Sequence, residues 1–153
     1  MDRGQRIEQF WRSSGAPAGT EAPPAWSFGD SPTLADELLA LTLRGAKTAM
    51  ASAQREFEVD GAPLPHTGDL AIVLDGGGEP RALIRTTEVE IVPFDEVTAE
   101  HARLEGEGDR SLAYWRTEHE RAWRSSLANT PYEFDTRMPV VCERFELLFP
   151  VTR

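Results

Sequence analysis

A β-hairpin is predicted by residues 70–92, which read LAIVLDGGGEPRALIRTTEVEIV. Leu70–Leu74 is a short apolar run typical of a buried strand, and Asp75–Gly78 is a typical hairpin turn. Arg81–Val92 predicts a long returning strand that Pro93 ends. The glycines do not indicate a phosphate-binding loop, because such a loop requires a Lys-Ser/Thr pair and then a helix.

The hydrophobic spacing on both sides of the hairpin predicts helices and one more strand. The predicted helices are Gln5–Arg12, residues 32–44, Phe94–Glu105 and Ser111–Leu127, and the predicted strand is Met138–Phe149. Lys47–Ala53 is interpreted as an irregular extended segment. Because helices are mixed with several strands, two of them a hairpin, the sequence predicts an α+β fold with a curved sheet or barrel.

The size and charge of the chain limit its organisation and its partners. Its 153 residues suit one domain, for which we expect an N-terminal helix and loop extension over residues 1–25 and the domain proper over residues 26–150. Lys and Arg number 16 and Asp and Glu number 26, which gives a net charge of −10. Non-specific affinity for nucleic acid comes from cations that neutralise phosphates. Any nucleic-acid role therefore requires a local basic pocket.

The cysteine and histidine content argues against a disulfide and against a structural zinc site. Cys142 is the only cysteine, and His101 and His119 can meet only through the tertiary fold. We expect no metal and no cofactor. No apolar run approaches the ~18 residues of a membrane span, and the N-terminus lacks the apolar core of a signal peptide. The prediction is a cytoplasmic protein without membrane contact, and its oligomeric state stays open.

Two cations and a hydroxyl, those of Arg44, Lys47 and Thr48, occupy the predicted helix-to-strand junction. A lysine on an extended segment can point into a cleft and contact an anion there. The alternative interpretation is a helix end whose cations interact favourably with the helix dipole.

An acidic loop, Glu105-Gly106-Glu107-Gly108-Asp109, separates the last two predicted helices. A carboxylate of this loop that faced Lys47 across a pocket would form an acid/base pair with it. The alternative is a solvated loop in which Asp109 and Ser111 cap the next helix.

Other side chains are candidates for ligand contacts. Trp26 and Tyr114 can stack on a base, an interaction worth about 1–3 kcal/mol. Arg85, on the long predicted strand, is a candidate for the same cleft. Cys142 is interpreted as a buried small apolar residue rather than as a nucleophile.

Eight stretches together carry a family resemblance. They are Trp26–Asp30, Ala35–Leu38, Gly45–Ala49, Gly68–Asp69, Ile72–Asp75, Arg85–Val89, Glu105–Trp115 and Met138–Phe145. With them the chain resembles ASCH-domain proteins of the longer bacterial type over about Trp26 to Phe149. The resemblance implies a PUA-like fold, which is a small, mostly antiparallel β-barrel with surrounding helices. It also implies a cleft beside Gly45-x-Lys47 that accepts RNA or a nucleoside.

The activities that the resemblance implies are diverse. Some short members of the family are similar to amidohydrolases that remove the acetyl group of N4-acetylcytidine, some longer ones to ribonucleases, and others to RNA-associated modules. The amidohydrolase pattern has a Lys, a Thr three residues later and a Glu further on. Lys47 and Glu105 match it, but Met50 stands at the Thr position. A thioether can neither attack an acyl group nor relay a proton.

We therefore predict a domain that binds a nucleoside, a nucleotide or short single-stranded RNA in this cleft. Lys47 would contact an anion or polarise a carbonyl, and Glu105 would act as an acid or base or bind a base edge. The predicted substrate contacts are Arg44, Thr48, Met50, Arg85, Tyr114 and Trp26. One alternative is a hydrolase, either an amidohydrolase or a ribonuclease, that uses Lys47 and Glu105. The other is a protein-interaction module with a degenerate cleft.

Overall fold

The computed structural model of the protein describes residues 1–151, which form five α-helices and five β-strands. The helices are α1 (Arg3–Ser13), α2 (Pro32–Leu43), α3 (Gln54–Asp60), α4 (Ala99–Glu105) and α5 (Leu112–Ser126). The strands are β1 (Ala25–Ser27), β2 (Ala49–Ala53), β3 (Leu70–Leu74), β4 (Pro80–Pro93) and β5 (Pro139–Phe149). The predicted α+β fold class is confirmed.

All five strands belong to one sheet with the order β1-β3-β4-β5-β2. β1 pairs with β3 in parallel, and every other pair is antiparallel. The long β4 changes register against β5 between Leu83 and Ile84 and again between Thr86 and Glu88. Such irregularities bend a strand and increase its twist. The sheet therefore curls into a half-barrel whose edge strands, β1 and β2, line the same cavities.

Four elements differ from the sequence-based prediction, and one of them is the short helix α3, which was not predicted. The predicted helix Phe94–Glu105 is wrong at its start, because Phe94–Glu96 is a 3-10 turn, Val97 is extended and Thr98 caps α4 instead. Lys47–Ala53 is not irregular throughout, since β2 pairs in register with β5. β1 was not predicted: its three residues are too few to show a periodic pattern.

Apolar side chains on both faces of the curled sheet hold the helices in place. α5 buries Trp115 and Trp123 against Phe94 and Met138, and α1 buries Trp11 against Ile72. α2 begins at Pro32, where the Ser31 hydroxyl accepts a hydrogen bond from the backbone of Leu34. No helix within residues 1–151 has the length and apolar character needed to cross a membrane.

Candidate functional site

Lys47 is a buried cation just after α2. Its side chain is about 1% exposed, and its ammonium group points into the protein. Nζ donates hydrogen bonds to the carbonyl oxygen of Ala49 at 2.9 Å, to Oε2 of Glu107 at 2.8 Å and to the carbonyl oxygen of Glu105 at 3.4 Å. An ammonium has three donors, and all three have an acceptor here.

Glu105 is the last residue of α4 and is equally buried. Its Oε1 lies 3.8 Å from Nζ of Lys47 and 3.3 Å from Nε2 of His119. Its Oε2 lies 2.7 Å from Nε2 of His101 and accepts a hydrogen bond from the indole of Trp115. Burial acts to raise the pKa of Glu105, but the charges of His119 and Lys47 and the hydrogen bonds hold it well below its usual range. Glu105 is therefore an ionised carboxylate that holds Lys47 and His119 in position.

His119 supplies a second positive charge beside Glu105. Its ring stacks on Trp115 with centroids 4.2 Å apart, and Nδ1 donates to the carbonyl oxygen of Trp115 at 2.8 Å. Burial acts to lower the pKa of His119, but the charges of Glu105 and Glu107 reverse this and raise it. Nδ1 faces a carbonyl and Nε2 faces a carboxylate, an arrangement that favours the doubly protonated imidazolium form of the ring.

Gly106 allows the acidic loop to approach Lys47. Its φ of +74° lies in the left-handed region that favours glycine, and a Cβ at this position would lie 2.4 Å from the carbonyl oxygen of Ala46. The backbone of Thr48 also donates to the carbonyl oxygen of Leu104 at 2.8 Å. These contacts bring the end of α4 against the chain before β2, which places the carboxylates of Glu105 and Glu107 within 4 Å of the ammonium group.

A cavity of about 360 Å³ opens beside this cluster, between the edge strands of the sheet. We call it the ionic cavity; Lys47, Glu105, Glu107 and His119 line it, together with residues 27–30 and 50–52. A second space of about 570 Å³ shares residues 27–29 and 50–52 with it. We call this the apolar chamber, since its walls also include Trp26, Phe57 and residues 62–65.

The ionic cavity is electrically mixed and is not the local basic pocket that nucleic-acid binding was expected to need. Its cations are Lys47, Arg121 and the imidazolium of His119, and its carboxylates are Asp30, Glu56, Glu105, Glu107 and Glu118. Arg121 is itself paired with Asp30 at 3.3 Å and with Glu118. A phosphate group in the ionic cavity would therefore lie among more negative than positive side chains.

Four of the eight predicted site residues line these two spaces. Lys47 and Glu105 line the ionic cavity, Met50 lines both spaces, and Trp26 lines the apolar chamber alone. The expectation that Lys47 and Glu105 face one pocket agrees with this geometry. Their catalytic roles stay predictions.

The other four predicted residues lie outside the lining, and the fold explains why. Arg85 alternates with Ile84 and Thr86 on β4, so it faces outward and pairs with Glu146. Arg44 is an exposed cap of α2.

Thr48 and Tyr114 have structural contacts instead. Thr48 bonds Leu104 through its backbone, and its own carbonyl oxygen accepts from Phe145. Tyr114 is 39% exposed, with its ring against Gly108. Ligand contacts by these four residues stay predictions that their placement does not favour.

Sequence reasoning missed His119 as a site residue, gave Ser52 no role in the site and considered Glu107 only as part of a loop. His119 has the same helical spacing as Trp115 and Trp123, so it was assigned to the packed side of α5. A histidine on an otherwise apolar stripe was the available signal. Ser52 follows Met50 by two residues, which places both on one face of β2.

Glu105, Glu107 and His119 each offer a ligand atom within 4.8 Å of the others, a spacing that suits a metal ion. Lys47 Nζ lies 2.8 Å from the Glu107 carboxylate, however, so a metal cation would have to displace an ammonium group from the same oxygens. The cluster is better described as a neutral set of two cations and two anions.

The geometry described above agrees with a comparison against protein families. The family model of the ASCH domain matches residues 24–149. The chain belongs to the ASCH domain family. Comparison with functionally curated proteins gave no match.

Two solved structures are similar to nearly the whole of this ASCH domain. Protein EF3133 from Enterococcus faecalis V583, described by the family model DUF984, is 34% identical with a TM-score of 0.85, covering 95% of this chain and 91% of its own. The ASCH domain from Lactobacillus crispatus JV V101 is 26% identical with a TM-score of 0.84, covering 97% and 95%. Hypothetical protein PH0355, at 15% identity and a TM-score of 0.51, covers 80% and 98% and shares the fold alone.

Proposed function

We propose that this ASCH domain binds a nucleoside in the ionic cavity. Nucleotides and short single-stranded RNA are the larger candidate ligands. The observation that carries the proposal is the buried ammonium of Lys47 at the wall of a cavity of about 360 Å³. That volume is within the range of small-molecule sites. The resemblance of the Gly45-x-Lys47 segment to the cleft of the family supports a nucleoside as the ligand class.

The charges around Lys47 favour a neutral ligand. A neutral ligand oxygen, either a base carbonyl or a sugar hydroxyl, that replaces Glu107 as the partner of Lys47 would receive a charge-assisted hydrogen bond. Glu107 is the exchangeable partner because it lies on a loop, whereas Glu105 is fixed by Trp115 and two histidines. Glu105 thus positions Lys47 and His119, and its saturated carboxylate is poorly suited to accept a proton.

Titration calorimetry with nucleosides, 5′-monophosphates, a short single-stranded RNA and a long RNA tests this proposal. We expect the nucleoside to bind one to one with little salt dependence, and the long RNA to bind weakly and to dissociate as salt rises. Met50→Trp should abolish nucleoside binding by filling the cavity. Arg85→Gln, outside the cavity, is the matched control. Tight binding of long RNA without nucleoside binding would refute the proposal.

Hydrolysis is the second candidate function, and the buried cluster is the observation that favours it. An ammonium, an imidazolium and a hydroxyl, that of Ser52, line one cavity. Lys47 could polarise the carbonyl of an amide or the phosphate of an RNA ester. An amidohydrolase or a ribonuclease would both fit this arrangement, and turnover assays separate them from simple binding.

We infer that the protein works in the cytoplasm and has no membrane partner. Cys142, its one cysteine, is buried, which suits a reducing compartment. The net charge of −10 repels anionic membrane surfaces.

A further inference from the structure

The apolar chamber contains a buried carboxylate that the cluster around Lys47 does not use. Glu143 lies on β5 and is 4% exposed, and it lines the chamber. Its Oε1 accepts a hydrogen bond from the Thr86 hydroxyl at 3.2 Å. Among the described residues, Thr86 is the donor that the structure shows for this carboxylate. Burial raises the pKa of Glu143, and the nearby Asp69 adds to the effect, while Thr86 opposes it.

The chamber provides no positive charge to compensate Glu143. Its described lining has two carboxylates, those of Asp69 and Glu143, and no lysine, arginine or histidine. A carboxylate has about four acceptor positions, and the Thr86 hydroxyl occupies one of them. A ligand in the chamber that brings N–H donors and carries no negative charge would complement the acceptor positions of Glu143 and Asp69.

The rest of the chamber suits a flat ring. Its walls include Trp26, Pro63, Pro65, Leu70 and Ile84. Trp26 is only half-buried and makes an edge contact with Phe28, so the faces of its indole are not stacked on that ring. An aromatic face of this kind stacks on a base without regard to sequence.

We propose that the apolar chamber is a nucleobase subsite in which Glu143 accepts hydrogen bonds from an N–H-donating edge, with guanine as the best match. The inference rests on the nucleoside binding proposed above and names the base. Guanine places an N1–H and an N2–H side by side, which complements the two oxygens of a carboxylate. Uracil offers one N–H between two carbonyl oxygens, which a carboxylate repels. Met50 and Ser52 belong to both spaces, so a base in the chamber leaves the sugar beside Lys47.

The test is a nuclear magnetic resonance titration of the ¹⁵N-labelled protein with guanosine, cytidine, adenosine and uridine. The indole N–H signal of Trp26, assigned with Trp26→Phe, reports on the chamber. We expect guanosine to bind most tightly and to shift this signal. Glu143→Gln should weaken guanosine binding by about 10- to 100-fold, the usual effect of hydrogen bonds to a charged group, and should leave uridine unchanged. Glu146→Gln, on the exposed side of the same strand, is the matched control.

Thr86→Val is the second variant, and it should weaken guanosine binding because it removes the hydroxyl that holds Glu143. Unchanged guanosine affinity in both folded variants overturns the inference. So does a base other than guanine that binds more tightly, or nucleoside binding that shifts signals of the ionic cavity and leaves Trp26 unmoved. These results would overturn the guanine subsite and leave the proposed nucleoside binding intact. The absence of binding by all four nucleosides would overturn both proposals.

Discussion

The ammonium group of Lys47 lies 3.8 Å from the carboxylate of Glu105, although 58 positions separate the two residues in the sequence. With His119 and Glu107 they form a cluster of two positive and two negative charges. A buried charge is tolerated only when it is paired and hydrogen-bonded, and this set cancels to zero. The site is thus held together electrostatically before any ligand arrives.

Removing the Lys47 charge should destabilise the protein strongly. Lys47→Met leaves Glu105 and Glu107 without their shared cation, and breaking a buried pair from one side costs about 3–5 kcal/mol. Urea unfolding measures the loss. Arg85→Met is the control, because the exposed Arg85–Glu146 pair should contribute only about 0–1 kcal/mol. Equal effects of the two substitutions would contradict the electrostatic description of the cluster.

Gly106→Ala should also destabilise the protein, by about 1–3 kcal/mol for the backbone strain, with more from the clash. The added Cβ would lie 2.4 Å from the carbonyl oxygen of Ala46. Gly61→Ala is a matched control, since Gly61 has a similar φ of +64° and no neighbour within 4 Å of its Cβ position. The difference between the two thermal unfolding midpoints isolates the contact with Ala46. A Gly106→Ala variant as stable as Gly61→Ala would show that the loop moves freely.

The fold could be predicted from the sequence where patterns are local. The β3–β4 hairpin has an apolar strand and a glycine-rich turn, and the stripe along α5 repeats at helical spacing. β1 and the start of α4 could not be predicted so well. A three-residue strand is seen only through its pairing with β3, and the chain leaves the helical path at Val97, which is extended and buried in the same core cluster as Phe94.

The site was predictable only in part, because its chemistry comes from tertiary contacts. Lys47 and Glu105 were selected through a family resemblance, and nothing in their spacing indicates a distance of 3.8 Å. Glu143 lies within the predicted strand Met138–Phe149 and has no predicted role, because neither its burial nor the chamber beside it can be read from the sequence of one strand. Arg85 was selected for its charge, but strand alternation in the folded sheet turns it away from the cavity.

Stability should fall as the pH rises above neutrality. Burial acts to lower the pKa of His119, but Glu105 and Glu107 raise it above the ordinary value of 6.5. The protonated ring therefore favours the folded state; its stabilisation is complete below pH 6.5 and is lost as the pH rises through the raised pKa. Urea unfolding at increasing pH above 6.5 measures the free energy of unfolding of both proteins. The difference between the wild type and His119→Gln should become smaller as the pH rises. A constant difference would contradict a charged His119.

Glu105 should produce the opposite dependence in acid. Burial acts to raise its pKa, but His119, His101 and Lys47 together lower it well below 4.5. Its stabilisation is complete above pH 4.5 and is lost as the pH falls through the lowered pKa. Glu105→Gln should therefore lose less stability on acidification than the wild type does. The same pH slope in both proteins would show that Glu105 is not ionised in the folded state.

Met50 should limit acyl hydrolysis by this ASCH domain. It lines the ionic cavity beside Lys47, where the amidohydrolase pattern of the family has a threonine hydroxyl. We expect the wild type to remove the acetyl group of N4-acetylcytidine slowly or not at all. Met50→Thr should raise the rate by about 100-fold or more, the usual contribution of a positioned proton-transfer group. Adding Lys47→Ala to that variant should remove the gain.

The wild-type rate determines how this result is interpreted. Fast wild-type turnover that Lys47→Ala abolishes would refute the binding function and require another hydroxyl or a water. Ser52 is the candidate hydroxyl because it lines the same cavity, whereas Thr48 does not. Ser52→Ala would then distinguish the two candidates for the reacting group. A loss of turnover would identify the Ser52 hydroxyl, and full activity would identify a water molecule. No turnover in any variant would leave binding as the better description of the function.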